Sequence, residues 1–243
     1  MRTSIVALVI VGGIGGFAVG LKVARSEPSA PLVSPAKGTA ARVAAPVTAP
    51  VTARLVVPRA LTAITVDGEP DDAAWTAPEM LRTPAFSVRP YTDARVAVRD
   101  GTLYFLLYAA DEDLHAANAS HDGPLWVSDS MRVILTSAAD GPEYVVEVSP
   151  AGTLTDYTRA KSGAVDTSWE SGAKVGIDLD GTVDDSADND EEWVAEVSIP
   201  LASLGVTGKD LGLRIERTDV SRTSGSRSLA AWTPPGGRVS LAP

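Results

Sequence analysis

Trp126 stands between Gly123-Pro124 and Asp129-Ser130. An indole held out on such a loop offers a flat apolar face that matches the C–H face of a pyranose, while charged neighbours bond its hydroxyls. The alternative is a tryptophan that only packs its loop onto the fold. Trp232, in Ala231-Trp232-Thr233-Pro234-Pro235, has the same two readings, a sugar contact or edge packing. Trp75 and Trp193 sit in patterns that point inward and are expected in the core. The Thr167-Ser168-Trp169-Glu170 context assigns Trp169 to neither side.

Oxygen ligands are the second chemistry on offer. Asp178-Leu179-Asp180-Gly181, followed by Asp184, resembles an oxygen-rich calcium loop. Calcium takes six to eight oxygen ligands and tolerates irregular geometry, so clustered acids suit it. A solvated acidic turn between two strands is the competing reading, and the EF-hand pattern is missing. Asp111 and Asp113 form a second acidic pair just after an apolar run. Structural calcium is thus the one cofactor the acids suggest. Catalysis finds little support: His115 and His121 are the only histidines, both in a polar loop, and no serine sits in a nucleophile elbow. A glycosidase needs two suitably spaced carboxylates, but among 31 acids some pair always meets that spacing, so the criterion decides nothing. The absence of cysteine removes disulfides, thiolate metal sites, cysteine nucleophiles and a lipid-modified cysteine. The chain reads as a non-enzyme.

The elements that must position these residues are short strands. Arg95 to Arg99 alternates with period two, Asp100-Gly101 makes a turn, and Thr102 to Ala110 runs apolar, which is a strong hairpin signal. Met131 to Thr136, Tyr144 to Val148, Val194 to Ile199 and Leu211 to Glu216 have similar character. Gly, Pro, Asp and Ser fill the intervals. Short strands with no long segment of helical period predict an all-β fold, an antiparallel sandwich or barrel.

The start of the chain is different. Ile5 to Leu21 is uncharged, with Arg2 before it and Lys22 after it. With Thr3 and Ser4 the run is long enough, as a hydrophobic helix, to span a hydrocarbon core of roughly 30 Å. Residues 1–25 therefore read either as a signal peptide, with Ala18-Val19-Gly20 as the small-residue cleavage site, or as an uncleaved N-terminal membrane anchor. Residues 26–53 hold five prolines and many alanines and predict a disordered linker. Residues 54–243 form the domain. The expected location is outside the cytoplasm: membrane-anchored and facing the periplasm or cell exterior, or secreted. Residues 1–53 carry a balance of +4, which leaves −14 of the total −10 to residues 54–243. So acidic a domain repels phosphate backbones, and nucleic acid is excluded as a partner.

Seven pieces occur in an order that resembles family 9 carbohydrate-binding modules. They are Val66-Asp67-Gly68-Glu69 with Asp71-Asp72-Ala73-Ala74-Trp75; the hairpin RVAVRDGTLYFLLYAADED; Leu125 to Ser130; EYVVEVSPAGTLTD; Glu192 to Leu201; Leu211 to Arg217; and Ala231 to Pro235. The match covers residues 56–235. It implies a jelly-roll-like β-sandwich that binds a polysaccharide or oligosaccharide, carries structural calcium near Asp111 and Asp113, and serves carbohydrate catabolism. It also implies a sugar clamped between two tryptophans, with Trp126 as the first and Trp232 in the segment of the second. Arg132 stands where the family has a glutamate, Glu147 where it has an arginine, and Glu216 where it has a glutamine. Such an exchange retains a salt-bridged polar floor.

Two other functions compete. One is a structural or protein-interaction envelope domain that kept the fold and lost the sugar site. The other is a haem-binding redox module, for which Met131 or His115 would be the axial ligand.

Overall fold

The computed structural model of the protein describes residues 54–88, 90–116, 120–206 and 208–243. The proposed signal or anchor segment 1–25 and the linker 26–53 lie outside the described residues. Among those described, no helix is long and apolar enough to cross a membrane.

In chain order the elements are β1 (Leu55–Val57), a one-turn helix α1 (Ala73–Thr76), β2 (Leu81–Arg82), β3 (Ser87–Val88), β4 (Tyr91–Arg99) and β5 (Thr102–Ala110). There follow β6 (Ser130–Thr136), β7 (Glu143–Val148), β8 (Leu154–Arg159), β9 (Val165–Asp166) and β10 (Lys174–Asp180). The last are β11 (Glu192–Pro200), β12 (Asp210–Val220), β13 (Arg227–Trp232) and β14 (Arg238–Leu241). They build two sheets. One runs β1-β14-β12-β6-β7-β8-β9 with β13 also paired to β12; the other runs β10-β11-β5-β4-β2 with β3 paired to β4. Every named pair is antiparallel except β1 with β14, a parallel contact the expected antiparallel sandwich did not include.

The β4–β5 hairpin forms as its sequence predicts. Asp100 and Gly101 both take positive φ, 47° and 77°, and Arg99 pairs with Thr102. Two consecutive left-handed residues give the turn whose twist matches the flanking strands.

Alternation along the strands then sorts side chains between the faces. Val96, Phe105, Met131, Val133, Val146, Trp193, Val197, Leu213 and Ile215 share one buried cluster between the sheets. The outer face of the six-stranded sheet is covered too. Ala97, Leu106 and Val194 on that face pack with Ala60, Trp75 and Met80 from the segment before β3. This segment approaches closely where two glycines meet the opposing backbone. A Cβ on Gly68, whose φ is +99°, would run into the backbone of Ile177, and a Cβ on Gly176 would run into that of Asp67. Glycine is required at both positions. The approach lets Glu196 on β11 accept from the amides of Asp67 and Gly68, each at 3.0 Å, and from the Trp75 indole at 2.5 Å.

The acidic run reads differently in the structure. Asp178 and Asp180 are strand residues, paired across the β10–β11 ladder with Val194 and Glu192. They belong to no loop. Val175, Ile177 and Leu179 alternate with them and pack on the core, and that apolar phase extends the strand through the acids.

Candidate functional site

The outer face of the eight-stranded sheet carries a polar row. Ladder register aligns Ala231 on β13, Glu216 on β12, Arg132 on β6, Glu147 on β7 and Thr155 on β8. Met131 and Val133 flank Arg132 in sequence and point to the core, so Arg132 must point outward. The next row holds Arg214, Ile134, Val145 and Tyr157, the last three of which form a small apolar cluster.

Arg132 sits at the centre of the polar row. Its Nη1 donates to Glu216 Oε2 at 3.0 Å and its Nη2 to Glu147 Oε1 at 2.9 Å. Ser130 Oγ donates to the same Glu147 oxygen at 2.7 Å, and Arg214 also pairs with Glu216. Glu147 is fully buried, while Arg132 keeps 14% of its side chain exposed. Arg132 Nε and Glu147 Oε2 are buried with no hydrogen-bond partner. The expected salt-bridged floor therefore exists, and Arg132 is more exposed than either carboxylate it pairs with.

Trp126 is carried beside this row. It lies on a single 3₁₀ turn, Leu125–Val127, that follows Pro124. Leu125 is fully buried and pegs the turn, whereas Trp126 is 44% exposed and Val127 51%. The turn is tied at both ends. Thr155 Oγ1, from the polar row, donates to Gly123 O at 2.6 Å, and Asp129 receives the amides of His115 and Val220, each at 2.7 Å. These ties bring an exposed indole to the end of the charged row.

Trp232 does not oppose it. In the register of β13 against β12, Trp232 faces Ile215, whose side chain is in the core, and Trp232 belongs to the same buried cluster. Its ring is spent on packing, so the two-tryptophan clamp is not formed by Trp126 and Trp232. Trp75 and Trp193 are fully buried, as expected. Trp169 packs on Tyr144 with ring centroids 5.2 Å apart and donates to Ser203 O at 3.2 Å.

The five aspartates expected as calcium ligands are dispersed. Asp178 and Asp180 lie on β10, Asp184 Oδ1 is 2.7 Å from His115 Nδ1, and Asp113 pairs with Arg222. Asp111 alone joins a compact group, with Asp129 and Asp219, whose oxygens lie within 4.8 Å of one another. Arg217, buried, pairs with Asp111 at 2.8 Å and with Asp219 at 3.3 Å. Burial pushes the Asp129 carboxyl up to about 8, reinforced by the charge of Asp111 and opposed by its two amide hydrogen bonds. One guanidinium thus leaves a triad of acids under-neutralised, which is the condition a cation relieves. Asp129 and Asp219 were missed because they reach Asp111 only through the meeting of β5, β6 and β12. The proposed haem ligands are spent as well: Met131 is fully buried between the sheets and His115 contacts Asp184.

The sequence matches no protein-family model and no curated protein. The fold matches solved structures at low identity. One is a Bacteroides uniformis protein with a proposed carbohydrate-binding role, at a TM-score of 0.59 and 15% identity over 77% of this chain and 98% of that one. Another is a family 9 carbohydrate-binding module from Caldicellulosiruptor kristjanssonii in complex with cellotriose, at a TM-score of 0.52 and 18% identity over 77% and 93%. A family 9 carbohydrate-binding module from the same organism in complex with glucose gives 0.55 and 16% over 77% and 95%. The chain has the sandwich fold of these modules.

Proposed function

We propose that this protein is a non-catalytic carbohydrate-binding module. The observation that carries this reading is an exposed Trp126 on a turn that Gly123 ties to Thr155, the β8 member of the row that holds Glu216, Arg132 and Glu147. Trp126 would stack on the apolar face of a sugar ring. Arg132, with donors left over, would bond a hydroxyl, and Glu147 and Glu216 would hold the guanidinium in place. The family 9 modules of the same fold, in complexes with cellotriose and with glucose, make β-linked gluco- and xylo-oligosaccharides the first ligands to try. A glycan array is the test, and binding to no glycan would overturn the reading.

One observation favours a second reading, a protein-interaction scaffold. The polar row pairs its charges internally, and the tryptophan that would close a clamp is in the core. A blank array from a folded protein would be the expected result of that reading. Export rests on the uncharged run before Lys22, and cleavage or retention of residues 1–25 would be read from the mass of the native protein.

Structural calcium, which the resemblance implies, fits Asp111, Asp129 and Asp219 best. The sign of the pH effect follows from Asp129. Its folded value of about 8 exceeds the ordinary carboxylate value of about 3.9, so the folded state holds the proton more tightly. Its contribution is full below the unfolded value and is lost as pH rises toward about 8. Without calcium, the melting temperature should therefore carry a downward contribution between about pH 4 and pH 8. Calcium should restore it, and more so at the alkaline end. A ligand at a hundred times its dissociation constant adds about 2.7 kcal/mol. Equal melting temperatures in calcium, magnesium and chelator would remove calcium from the account.

A further inference from the structure

His121, which the sugar reading does not use, is surrounded by carboxylates. Its Nε2 lies 3.5 Å from Glu170 Oε2, 3.6 Å from Asp122 Oδ1 and 4.0 Å from Asp156 Oδ1. The ligand atoms of His121, Asp122 and Glu170 all fall within 4.8 Å of one another. These spacings are edges of a coordination polyhedron, because ligands about 2.0–2.2 Å from a common ion stand roughly 3–4 Å apart.

A second observation points to a ligand independently of that cluster. Asp156 is 1% exposed, and its Oδ1, on the side of His121, is buried with no hydrogen-bond partner. Its other oxygen is fixed by the amide of Ser171 at 2.7 Å. An unpartnered carboxylate oxygen in the interior carries a desolvation penalty that only a positive charge offsets well. The surrounding frame is rigid. Asp156 lies in the β7–β8 ladder, its amide donates to Asp122 Oδ1 at 3.3 Å, and the neighbouring Trp169 is anchored on Tyr144.

We propose that His121, Asp122, Asp156 and Glu170 bind a divalent transition-metal ion of the zinc type. One imidazole with three carboxylates suits a borderline ion better than calcium, which prefers oxygen alone. The half-exposed His121 and Glu170 form the entrance, and the buried Asp156 is the fixed end. The ion would pin the turn at residues 120–123 against β8, three to six residues before Trp126. The site stands whether or not Trp126 binds sugar.

The test is zinc titration of the tag-free full chain by calorimetry and by thermal melting, with cobalt(II) absorption as a reporter of ligation. One zinc per chain and a raised melting temperature are expected. His121→Ala, at an exposed residue, should leave the zinc-free melting temperature unchanged and weaken zinc at least about tenfold. Asp156→Asn, which keeps an oxygen for Ser171, should do the same. His115→Ala, at the other histidine, should leave zinc binding intact. No zinc binding by the wild type would overturn the site and assign His121 to simple ion pairs. Zinc binding that survives both His121→Ala and Asp156→Asn would overturn it equally, by showing that the metal sits elsewhere.

Discussion

Trp75→Ala is expected to destabilise the protein by about 3–5 kcal/mol, the range for truncating a large buried aromatic. That is a large part of a typical stability of about 5–15 kcal/mol. Trp75 is fully buried on the outer face of the six-stranded sheet, where it seals Ala97, Leu106 and Val194 from water. Its indole also donates to Glu196, a carboxylate with no exposure. The two roles separate in Trp75→Phe, which fills most of the volume and removes only the donor. That change should cost about 1–3 kcal/mol, the penalty for leaving a buried acceptor short of a partner. Burial already raises the Glu196 carboxyl above its ordinary range, and the bonds from Asp67, Trp75 and Gly68 hold it down. Losing one of them raises it further. A raised carboxyl favours the folded state only while protonated, so stability drains away as pH climbs from the unfolded value through the folded one. The deficit of Trp75→Phe should therefore be smaller near pH 4–5 than at pH 7. Urea unfolding at both values measures it. A deficit independent of pH would mean that the indole–carboxylate bond contributes nothing.

The sequence exposed those parts of the fold that local chemistry dictates. Asp100-Gly101 names its own turn, and the alternation of Arg95 to Arg99 names its own strand. Trp75 and Trp193 read as core because apolar neighbours set their phase. Arg132, Glu147 and Glu216 came from the family resemblance, and the ladder register brings them to one row. Where the reading failed, the deciding contact was distant or the phase was ambiguous. Ala231-Trp232-Thr233-Pro234 is compatible with either face, and a one-residue choice of register turns the indole from sugar to core. Asp178 and Asp180 look like turn residues, yet Val175, Ile177 and Leu179 impose a strand beneath them. The group of Asp111, Asp129 and Asp219 and the group around His121 draw residues from separate elements. No spacing along the chain announces them.

Trp126→Ala should abolish detectable glycan binding and leave the melting temperature nearly unchanged. The two halves of that expectation have separate causes. Trp126 is 44% exposed, and the turn it rides on is pegged by the buried Leu125 and by the bond from Thr155 to Gly123. Truncating an exposed side chain away from such pegs usually shifts stability by no more than about 0.5 kcal/mol. Binding is another matter, because Trp126 is the exposed tryptophan on the turn tied to the polar row, and Trp232 is spent in the core. Losing an aromatic anchor at the centre of a site commonly costs about 2 kcal/mol or more, roughly a thirtyfold weakening. Affinity for a single sugar chain is modest enough that such a loss reads as no binding. Trp126→Tyr should recover part of it, since a smaller ring still stacks. Trp232→Ala supplies the contrast. As a core substitution it should lower the melting temperature, and any effect on affinity should follow the loss of fold. Calorimetry with cello- and xylo-oligosaccharides, beside thermal melting of each variant, separates these outcomes. Unchanged affinity in a folded Trp126→Ala protein would move the sugar site away from this loop altogether.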